Sequence, residues 1–445
     1  MRKSITLPQD VQFVLDRLEQ SGYEGFIVGG CVRDALLDKT PSDWDVTTNA
    51  LPEALCEIFS DLPTITIGKQ HGTVAVVLHG HPIEITTYRI EGDYHDHRHP
   101  SSVSFTTSLR EDLARRDFTI NAMAYHPKTG LIDCFGGIAD LLHGKIRTVG
   151  DPTKRFQEDG LRILRGLRFA GQLSFSIMPE TKAAMRSQCS LLRHISPERI
   201  QAEFCKLLCS PGCSDVLREN SHVIFSLFPE LHPMEHFLQN TPYHCFDVWE
   251  HTLHAIAQTP PDLTLRFTML LHDSGKPAVY IEDEQGVGHF PGHAKYSTAI
   301  AEQITARLRM DNKTSQRICL LVRHHDLVLQ PEEKWIKRQL NRFGQEVFFQ
   351  LLAVHRSDTL AQSARCQPRL QTILDCAAIA REILAQQQCF QLRDLAVNGK
   401  DLLALGIPPG PELGQLLNQL LAAVIDGAVP NEKEPLLALI RKKWN

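Results

Sequence analysis

The chain has 445 residues, too many for a single hydrophobic core, so we predict two to four domains. Apolar residues make up 42% of it, but no apolar run approaches membrane-spanning length and the N-terminus lacks a signal peptide's apolar core, so we predict a cytoplasmic protein without a membrane partner. The net charge of −5 argues against nucleic-acid binding unless basic residues cluster locally, as Arg162, Arg165 and Arg168 do.

The first 145 residues or so have the pattern of a small α/β domain. An amphipathic helix around Val11–Leu18 precedes an apolar strand at 26–28. Residues 73–78 and 82–87 are rich in β-branched side chains and predict a hairpin, and 131–134 predicts a further strand. From about residue 151 onward, apolar residues recur at helical spacing. We therefore expect an α+β protein, in which an α/β head is followed by a long all-α body.

The segment 29–45 combines a Gly-Gly step after a strand with two aspartates two positions apart. On a strand, Asp43 and Asp45 would share a face, and like charges so close are costly unless a cation lies between them. Oxygen-only ligands suit Mg²⁺. Backbone N–H groups at Gly29 and Gly30 could approach a phosphate closely. The segment predicts a metal-dependent nucleotide site, and the alternative is a pair of surface acids on a turn.

The run Gly-Gly-Cys-Val-Arg-Asp at 29–34, followed by the aspartate pair, resembles the signature of the class II tRNA nucleotidyltransferases. These are the CCA-adding enzymes of bacteria and eukaryotes, together with the bacterial poly(A) polymerases. The resemblance implies a polymerase-β-like nucleotidyltransferase head, Mg²⁺ at Asp43 and Asp45, and nucleotide contacts from Arg33.

Glu84 alternates with two isoleucines on the second strand of the predicted hairpin. It therefore faces away from them and could join Asp43 and Asp45 as a third carboxylate. The alternative is an ordinary solvent-facing acid. Because related nucleotidyltransferases carry an acid on a comparable strand, the resemblance favours a catalytic role.

Two adjacent arginines, Arg115 and Arg116, precede Asp117 and a run that includes Asn121. Such a cluster is commonly a self-paired surface patch. In the family that the chain resembles, an Arg-Arg-Asp sequence at this place contacts the incoming nucleotide and its ribose hydroxyl. Arginine suits a triphosphate because its planar guanidinium binds oxygens in pairs.

Asp159 and Arg162 would share a face of one helix, three residues apart. The alternative to a functional role is a local salt bridge. A carboxylate accepts from an exocyclic amino group and a guanidinium donates to a ring nitrogen or carbonyl, so this pair could accept C and A and reject U and G. The stretch resembles the family's Glu-Asp-x-x-Arg motif, which implies that role. Arg165 and Arg168 are further candidates for phosphate contacts.

The polar segment 91–100 predicts a mobile loop. In the family, a loop at this place is linked to the switch from C to A addition.

His251, the pair His272 and Asp273, and a distant Asp358 form a second constellation. Their order resembles the HD phosphohydrolase superfamily, which gathers such groups around a divalent metal. Mixed imidazole and carboxylate ligands suit Mn²⁺, Fe²⁺, Ni²⁺ or Zn²⁺. Additional candidates are His289, His293, His324, His325 and Asp326.

The resemblance covers nearly the whole chain and predicts a CCA-adding tRNA nucleotidyltransferase with an HD domain, acting on tRNA with CTP and ATP. The expected regions are a head at 1–145, a base-selecting neck at 146–225, an HD-type domain at 226–365 and a tRNA-binding tail at 366–445. Three rivals remain: an A-adding enzyme of a split CC/A pair, a poly(A) polymerase, and a metal-dependent phosphohydrolase. The sequence does not fix the oligomeric state.

Overall fold

The structure, a computed structural model, describes residues 4–92 and 102–444. The chain divides into two compact units, Met1–Pro229 and Glu230–Asn445. Most of the loop predicted at 91–100 lies outside the described residues. No helix among the described residues is both long and apolar enough to cross a membrane.

The first unit contains a sheet followed by helices. Its strands are Gly25–Val28 (β1), Asp45–Thr48 (β2), Thr64–Ile65 (β3), Thr73–Leu78 (β4), His81–Thr87 (β5), Arg89–Glu91 (β6), Val103–Phe105 (β7), Met123–His126 (β8), Gly130–Asp133 (β9), Lys145–Ile146 (β10) and Ser176–Ile177 (β11). Its helices are Gln9–Gln20 (α1), Gly30–Leu36 (α2), Pro52–Ile58 (α3), Leu109–Ala114 (α4), Gly137–Leu142 (α5), Pro152–Glu158 (α6), Leu161–Leu173 (α7), Pro179–Gln188 (α8), Pro197–Leu208 (α9), Cys213–Glu219 (α10) and Ser221–Leu227 (α11).

The main sheet has seven strands in the order β3-β4-β5-β2-β1-β8-β9. Strands β2 and β5 are parallel, and all other neighbouring strands of this sheet are antiparallel. The interior strand β1, between β2 and β8, is buried along its whole length, as expected for a strand covered on both faces. Helix α1 packs closely on it, since a Cβ at Gly25 would lie 3.1 Å from Leu15 and 3.0 Å from Leu18.

Helix α7, in the region predicted as a neck, lies close against Phe118 of the preceding region. A Cβ at Gly166 would come within 2.8 Å of the Phe118 ring and 2.3 Å of Met185 on α8, so glycine permits this approach. The close packing holds the charged face of α7 near the end of α4.

The second unit is almost entirely helical. Its helices are Val248–Ala257 (α12), Leu263–Leu271 (α13), His293–Arg307 (α14), Asn312–Arg323 (α15), Glu333–Ala361 (α16), Arg369–Ala385 (α17), Gly399–Ala404 (α18), Pro411–Ile425 (α19) and Lys433–Trp444 (α20), with short strands at Ile281–Glu282 (β12) and Gly288–His289 (β13). Helix α16 is interrupted at Gly344, which has a φ of 77°. The predicted α+β class, a mixed-sheet head followed by a helical body, is confirmed.

Candidate functional site

Three carboxylates lie together at one end of the main sheet. Asp45 begins β2 and is directly paired with Glu84 on β5 in the parallel register, so their side chains lie on the same face. Glu84 is exposed between the buried Ile83 and Ile85, as the alternation predicts. Asp43 lies two residues before Asp45, outside the strand, and is also exposed. The three predicted acids therefore lie together at one end of the sheet.

The charge on Asp45 is electrostatically costly in this arrangement. Burial raises the pKa of Asp45 to about 6; Arg116 opposes that shift, while the negative charges of Asp43 and Glu84 add to it. A cation between these acids would relieve the repulsion. Because each acid offers only oxygen atoms, the donor set fits Mg²⁺.

The step from β1 into α2 requires glycine at position 29. Gly29 has a φ of 84°, a conformation that L side chains rarely adopt, and a Cβ there would lie only 2.9 Å from Nη1 of Arg116. At Gly30 a Cβ would lie 3.6 Å from Nη2 of Arg33, an ordinary contact. The first glycine therefore leaves room for an arginine that reaches the carboxylate edge.

The predicted arginines are each held by an acid or an amide. Arg33 binds Asp34 through Nε and Nη2, and its Nη1 donates to Oδ1 of Asn121 at 2.7 Å. Arg115 donates from Nε to Asp112 at 2.9 Å, and Nη2 of Arg116 lies 3.8 Å from the same carboxylate. Asp112 is fully buried and was missed in the sequence, because nothing local distinguishes it from an exposed helical acid.

Asp117 ties the head to the neck. Its Oδ1 accepts from the amide of Phe118 and from Asn121, and its Oδ2 lies 2.8 Å from Nε of Arg165 on α7. Burial alone would raise the pKa of Asp117, but Arg165, Asn121 and Arg162 outweigh burial and lower it to about 2. Asp117 is therefore ionised across the physiological pH range.

The expected pairing of Asp159 with Arg162 on one helix is wrong. Asp159 lies between α6 and α7, and its own extended backbone angles, φ −141° and ψ 105°, interrupt the helix, whereas Gly160 after it has helical angles and precedes α7. Its carboxylate accepts from the amide of Leu161 and binds Arg199, with Oδ2 2.8 Å from Nη2. It is thus a cap for α7 and a partner of α9.

Arg162 binds other acceptors. It is 9% exposed, and its Nη1 lies 2.5 Å from Glu158 and 3.2 Å from the carbonyl oxygen of Arg155. Its Nη2 donates to the carbonyl oxygen of Arg115 at 3.1 Å. Asp159 and Arg162, the two side chains predicted to select the base, are therefore near each other in sequence but are paired with Arg199 and Glu158.

Three guanidinium groups surround the buried ring of Phe169. Those of Arg168, Arg33 and Arg165 lie 4.0, 5.0 and 5.4 Å from the ring centroid, within the range of cation–π attraction. Arg168 also binds Glu203 on α9. Phe169 and Glu203 were not predicted site residues, since an aromatic and an acid at helical spacing have no distinctive signal.

A second site lies within the helical unit and joins all four predicted residues. His251 on α12, His272 and Asp273 after α13, and Asp358 on α16 place one ligand atom each within 4.8 Å of the others. Nε2 of His251 lies 2.9 Å from Oδ1 of Asp358 and 3.3 Å from Nε2 of His272. His272 Nε2 and Asp358 Oδ1 are 3.7 Å apart. We call these four residues the HD cluster.

The donor atoms of the HD cluster fit a metal ion. The three separations above define a triangle whose centre lies about 1.9 Å from each atom, close to the 2.0–2.2 Å of metal–nitrogen and metal–oxygen bonds. Nδ1 of His272 lies 2.7 Å from the carbonyl oxygen of Met269, which assigns the proton to Nδ1 and leaves Nε2 as a ligand. Asp273 Oδ2 is buried, has no hydrogen bond of good geometry among the described residues, and faces Lys276 Nζ at 2.6 Å.

Two of the five additional candidates lie against the HD cluster. His293 and His325 form a group with Asp273, whereas His289 binds Asp283 and His324 packs against the ring of Phe343. The remaining candidate, Asp326, lines the adjoining cavity of about 630 Å³. Also lining it are Tyr243, His244, Lys276, His293, His325 and Arg369. The cavity thus combines candidate metal ligands with basic side chains.

The chain matches three family models. One described as "Poly A polymerase head domain" matches residues 25–147, and one described as "Probable RNA and SrmB- binding site of polymerase A" matches 174–235. A third, described as "tRNA nucleotidyltransferase domain 2 putative", matches residues 283–440.

Whole-length relatives carry the same family name. The CCA-adding enzyme of Levilactobacillus brevis is 36% identical over 98% of both chains, and that of Enterococcus faecalis is 33% identical over 99% of this chain and 98% of its own. The crystal structure of the Bacillus stearothermophilus CCA-adding enzyme with CTP matches with a TM-score of 0.75 at 30% identity, covering 98% of each chain. That of the Thermotoga maritima enzyme with tRNA shares the fold, with a TM-score of 0.62 at 20% identity and coverage of 98% of this chain and 96% of its own. The chain therefore belongs to the family of CCA-adding enzymes, nucleotidyltransferases with a poly(A) polymerase-type head.

Proposed function

We propose that this CCA-adding enzyme adds C, C and A to the 3′ end of tRNA, taking the nucleotides from CTP and ATP. The direct pairing of Asp45 with Glu84 beside the arginines of the head carries the proposal, because it sets a cation site against a phosphate site. The crystallised complexes of relatives with CTP and with tRNA support it. In the reaction, the 3′ hydroxyl bonds to the α-phosphorus, the bond to the β-phosphate breaks, and pyrophosphate leaves.

Asp43 and Asp45 would hold two Mg²⁺ ions. Mg²⁺ bound there would favour loss of the hydroxyl proton and offset the charge that builds on the α-phosphate. Glu84, exposed on the same face, would accept a hydrogen bond from the attacking hydroxyl and orient it. The partly buried Asp45 would hold its charge more readily with the cation than without it.

Basic side chains would bind the triphosphate, and Asp117 would accept from the ribose hydroxyl. Arg116 lies next to Gly29, and Arg115 is its neighbour in the sequence. The N–H of Gly29, a predicted phosphate donor, donates to the carbonyl oxygen of Met123 at 3.3 Å, so at this step the N–H of Gly30, at the start of α2, would bind the phosphate. Arg33, with Arg165 and Arg168 around the Phe169 ring, adds positive charge, which favours a polyanion. Asn121 accepts a hydrogen bond from Arg33 and donates one to Asp117, and would thereby fix the position of one relative to the other.

Asp159 and Arg162 would select the base. A carboxylate accepts from the amino group of C or A, and a guanidinium donates to the adjacent ring acceptor. Both side chains are already paired with protein groups, so a base that satisfies them must replace Arg199 at Asp159 and Glu158 at Arg162. A base with the reverse order of donor and acceptor would leave both unsatisfied, which costs free energy in a partly buried site.

The test uses tRNA that ends at the discriminator base, incubated with CTP alone, ATP alone and both, followed by sequencing of the 3′ ends. We expect CC with CTP alone and CCA with both. Failure to extend with CTP, together with addition of A to a tRNA ending in CC, would identify an A-adding enzyme. A ladder of many A residues would identify a poly(A) polymerase. A chain with Asp43→Asn and Asp45→Asn should add nothing, whereas Asp61→Asn, an exposed acid of the same unit, should leave the products unchanged.

A second function, metal-dependent hydrolysis of a phosphate ester, is favoured by the HD cluster and its basic cavity. His251, His272, Asp273 and Asp358 would hold a divalent transition metal, which when bound would supply a hydroxide nucleophile at neutral pH. Lys276 lies against Asp273 and Phe290 and lines the cavity, where it would attract a phosphate. We expect phosphatase activity from the Mn²⁺-loaded chain on p-nitrophenyl phosphate. His272→Ala should abolish it, Asp45→Asn should not, and loss in both variants would contradict this assignment.

We further infer four functional regions: the head, the base-selecting neck, the HD-type domain and a tRNA-binding tail. The boundaries at about 145, 225 and 365 are supported by the change from sheet to helix and by the helix ends near them. Since tRNA is the substrate, we place the enzyme in the cytoplasm.

A further inference from the structure

One row of the main sheet leads from the carboxylates to an exposed apolar side chain. Asp45 on β2 is paired with Glu84 on β5. Glu84 is also paired with Ala75 on β4, which is in turn paired with Ile65 on β3. Because residues directly opposite each other on neighbouring strands share a face, all four side chains lie on one face of the sheet. At about 4.8 Å per strand, Ile65 lies about 10 Å from Glu84 along this row.

Ile65 lies outside the hydrophobic core. It is 44% exposed, whereas Val76, on the opposite face of β4, is fully buried. Ile67, in the turn after β3, is 90% exposed. Ala75, between Ile65 and Glu84, is 9% exposed and presents only a methyl group. An isoleucine left in water contributes little to folding, so this apolar surface next to Glu84 is available to a ligand.

The geometry of the reaction indicates which ligand would meet this surface. The attacking and leaving oxygens lie roughly in line, on opposite sides of the phosphorus. Arg116, proposed to bind the triphosphate, lies next to the glycine step after β1, on one side of Asp45. Glu84, proposed to orient the attacking hydroxyl, lies on β5, on the other side. The nucleotide that carries this hydroxyl would therefore extend from Glu84 across β4 towards Ile65.

We propose that Ile65 and Ala75 form the subsite for the 3′-terminal nucleobase of the tRNA. The inference rests on the proposed addition of CCA, since it describes the second substrate of that reaction. The terminal base changes during the three additions, from the discriminator base to C and again to C. Apolar contact with the face of a base needs no particular hydrogen-bonding groups, so one surface would accept each terminal base in turn.

The test is a double-mutant cycle on the full chain, with two tRNAs that end at the discriminator position. One carries the normal terminal base, and the other a terminal ribose that keeps both hydroxyls but lacks the base. For CTP addition by the parent chain, we expect loss of the base to lower kcat/KM for tRNA by about tenfold, as for one apolar contact. Ile65→Ser should lower it equally with the normal tRNA and should cause no further loss with the tRNA that lacks the base. The KM for CTP should stay unchanged, since CTP would bind on the other side of Asp45.

Leu51→Ser is the matched control. Leu51 is 49% exposed, but it follows the end of β2 that is remote from Asp45, so this variant should retain the full response to the terminal base. If Ile65→Ser does not fold, Ile65→Thr, which keeps a β-branched side chain on the strand, replaces it.

Equal losses in Ile65→Ser with both tRNAs, or a parent chain that is indifferent to the terminal base, would overturn the inference alone. A dimer in solution that Ile65→Ser dissociates would also overturn it, because β3 is an edge strand and a second copy would then cover the exposed side chain. A parent chain that incorporates neither C nor A into any tRNA would contradict the proposed function and the inference together.

Discussion

Arg165 and Asp117 form a two-contact ion pair, in which Nε and Nη2 of the arginine lie 2.8 and 2.7 Å from one carboxylate oxygen. The pair connects α7 to the segment that follows α4, and Asp117 is only 8% exposed. Such an interaction is screened far less than a surface ion pair. It is therefore a structural link as well as a candidate part of the nucleotide site.

Removing this ion pair should make stability less dependent on pH. The folded-state pKa of Asp117 is about 2, below its ordinary value of 3.8, so the stabilisation is present above pH 4 and is lost as pH falls towards 2. We expect Arg165→Met to lower the free energy of unfolding by about 2 kcal/mol at pH 7 and by roughly half as much near pH 3. Urea titrations at both pH values measure the difference. A loss of equal size at both would contradict the assignment, and Asp117→Asn should show the same pH trend.

Substitution of Gly29 should damage the site beyond its effect on the backbone. Gly29→Ala combines a positive φ with a close approach to Arg116, whereas Gly22→Ala has the same φ strain and nothing within 4 Å. Each should cost about 1–2 kcal/mol through backbone strain. We expect Gly29→Ala alone to reduce CTP incorporation, because Arg116 must move. Equal activity in both variants would show that Arg116 tolerates the displacement.

Asp159→Asn should relax base selection. An amide offers donors as well as an acceptor, so the edges of U and G gain a partner that a carboxylate denies them. We expect incorporation of UTP and GTP to rise roughly tenfold relative to CTP, about 1.4 kcal/mol of lost discrimination. Asp215→Asn removes the same charge from an exposed position of the same unit and should leave selection unchanged. Single-nucleotide incorporation rates for all four nucleotides provide the measurement.

Loss of Asp45 should be more severe than loss of Glu84. Asp45→Asn removes a cation ligand, and we expect CTP incorporation to fall by at least about a thousandfold, or about 4 kcal/mol of transition-state stabilisation. Glu84→Gln keeps an acceptor at the hydroxyl, so a loss of about a hundredfold is expected. Single-turnover kinetics distinguish the two. The reverse order of effects would assign the cation chiefly to Glu84.

The features that could be predicted from the sequence are those fixed by residues close to each other in the chain. The position of Glu84 follows from period-two alternation between Ile83 and Ile85, and the register with Asp45 brings the acids together. The helix expected through Asp159 fails because Asp159 itself adopts extended backbone angles between α6 and α7.

The ion-pair partners were beyond the reach of sequence reasoning. Arg199 meets Asp159 across 40 residues and Glu203 meets Arg168 across 35, and charge pairing at such distances has no local pattern. Likewise, His293 and His325 could be selected from five similar candidates only once helix packing aimed their rings at Asp273.

The hydrogen bond from Arg162 to the carbonyl oxygen of Arg115 connects a residue proposed to select the base with a residue proposed to bind the triphosphate, 47 positions apart in the sequence. If Arg162 reads the base, a matching base that replaces Glu158 would move the guanidinium, and with it the Nη2 contact to the main chain beside Arg116, a proposed triphosphate-binding residue. A mismatched base leaves that restraint in place. The fit of the base would then alter the position of the arginines proposed to bind the triphosphate before the new phosphodiester bond forms. The base would thus be selected before the reaction rather than checked after it.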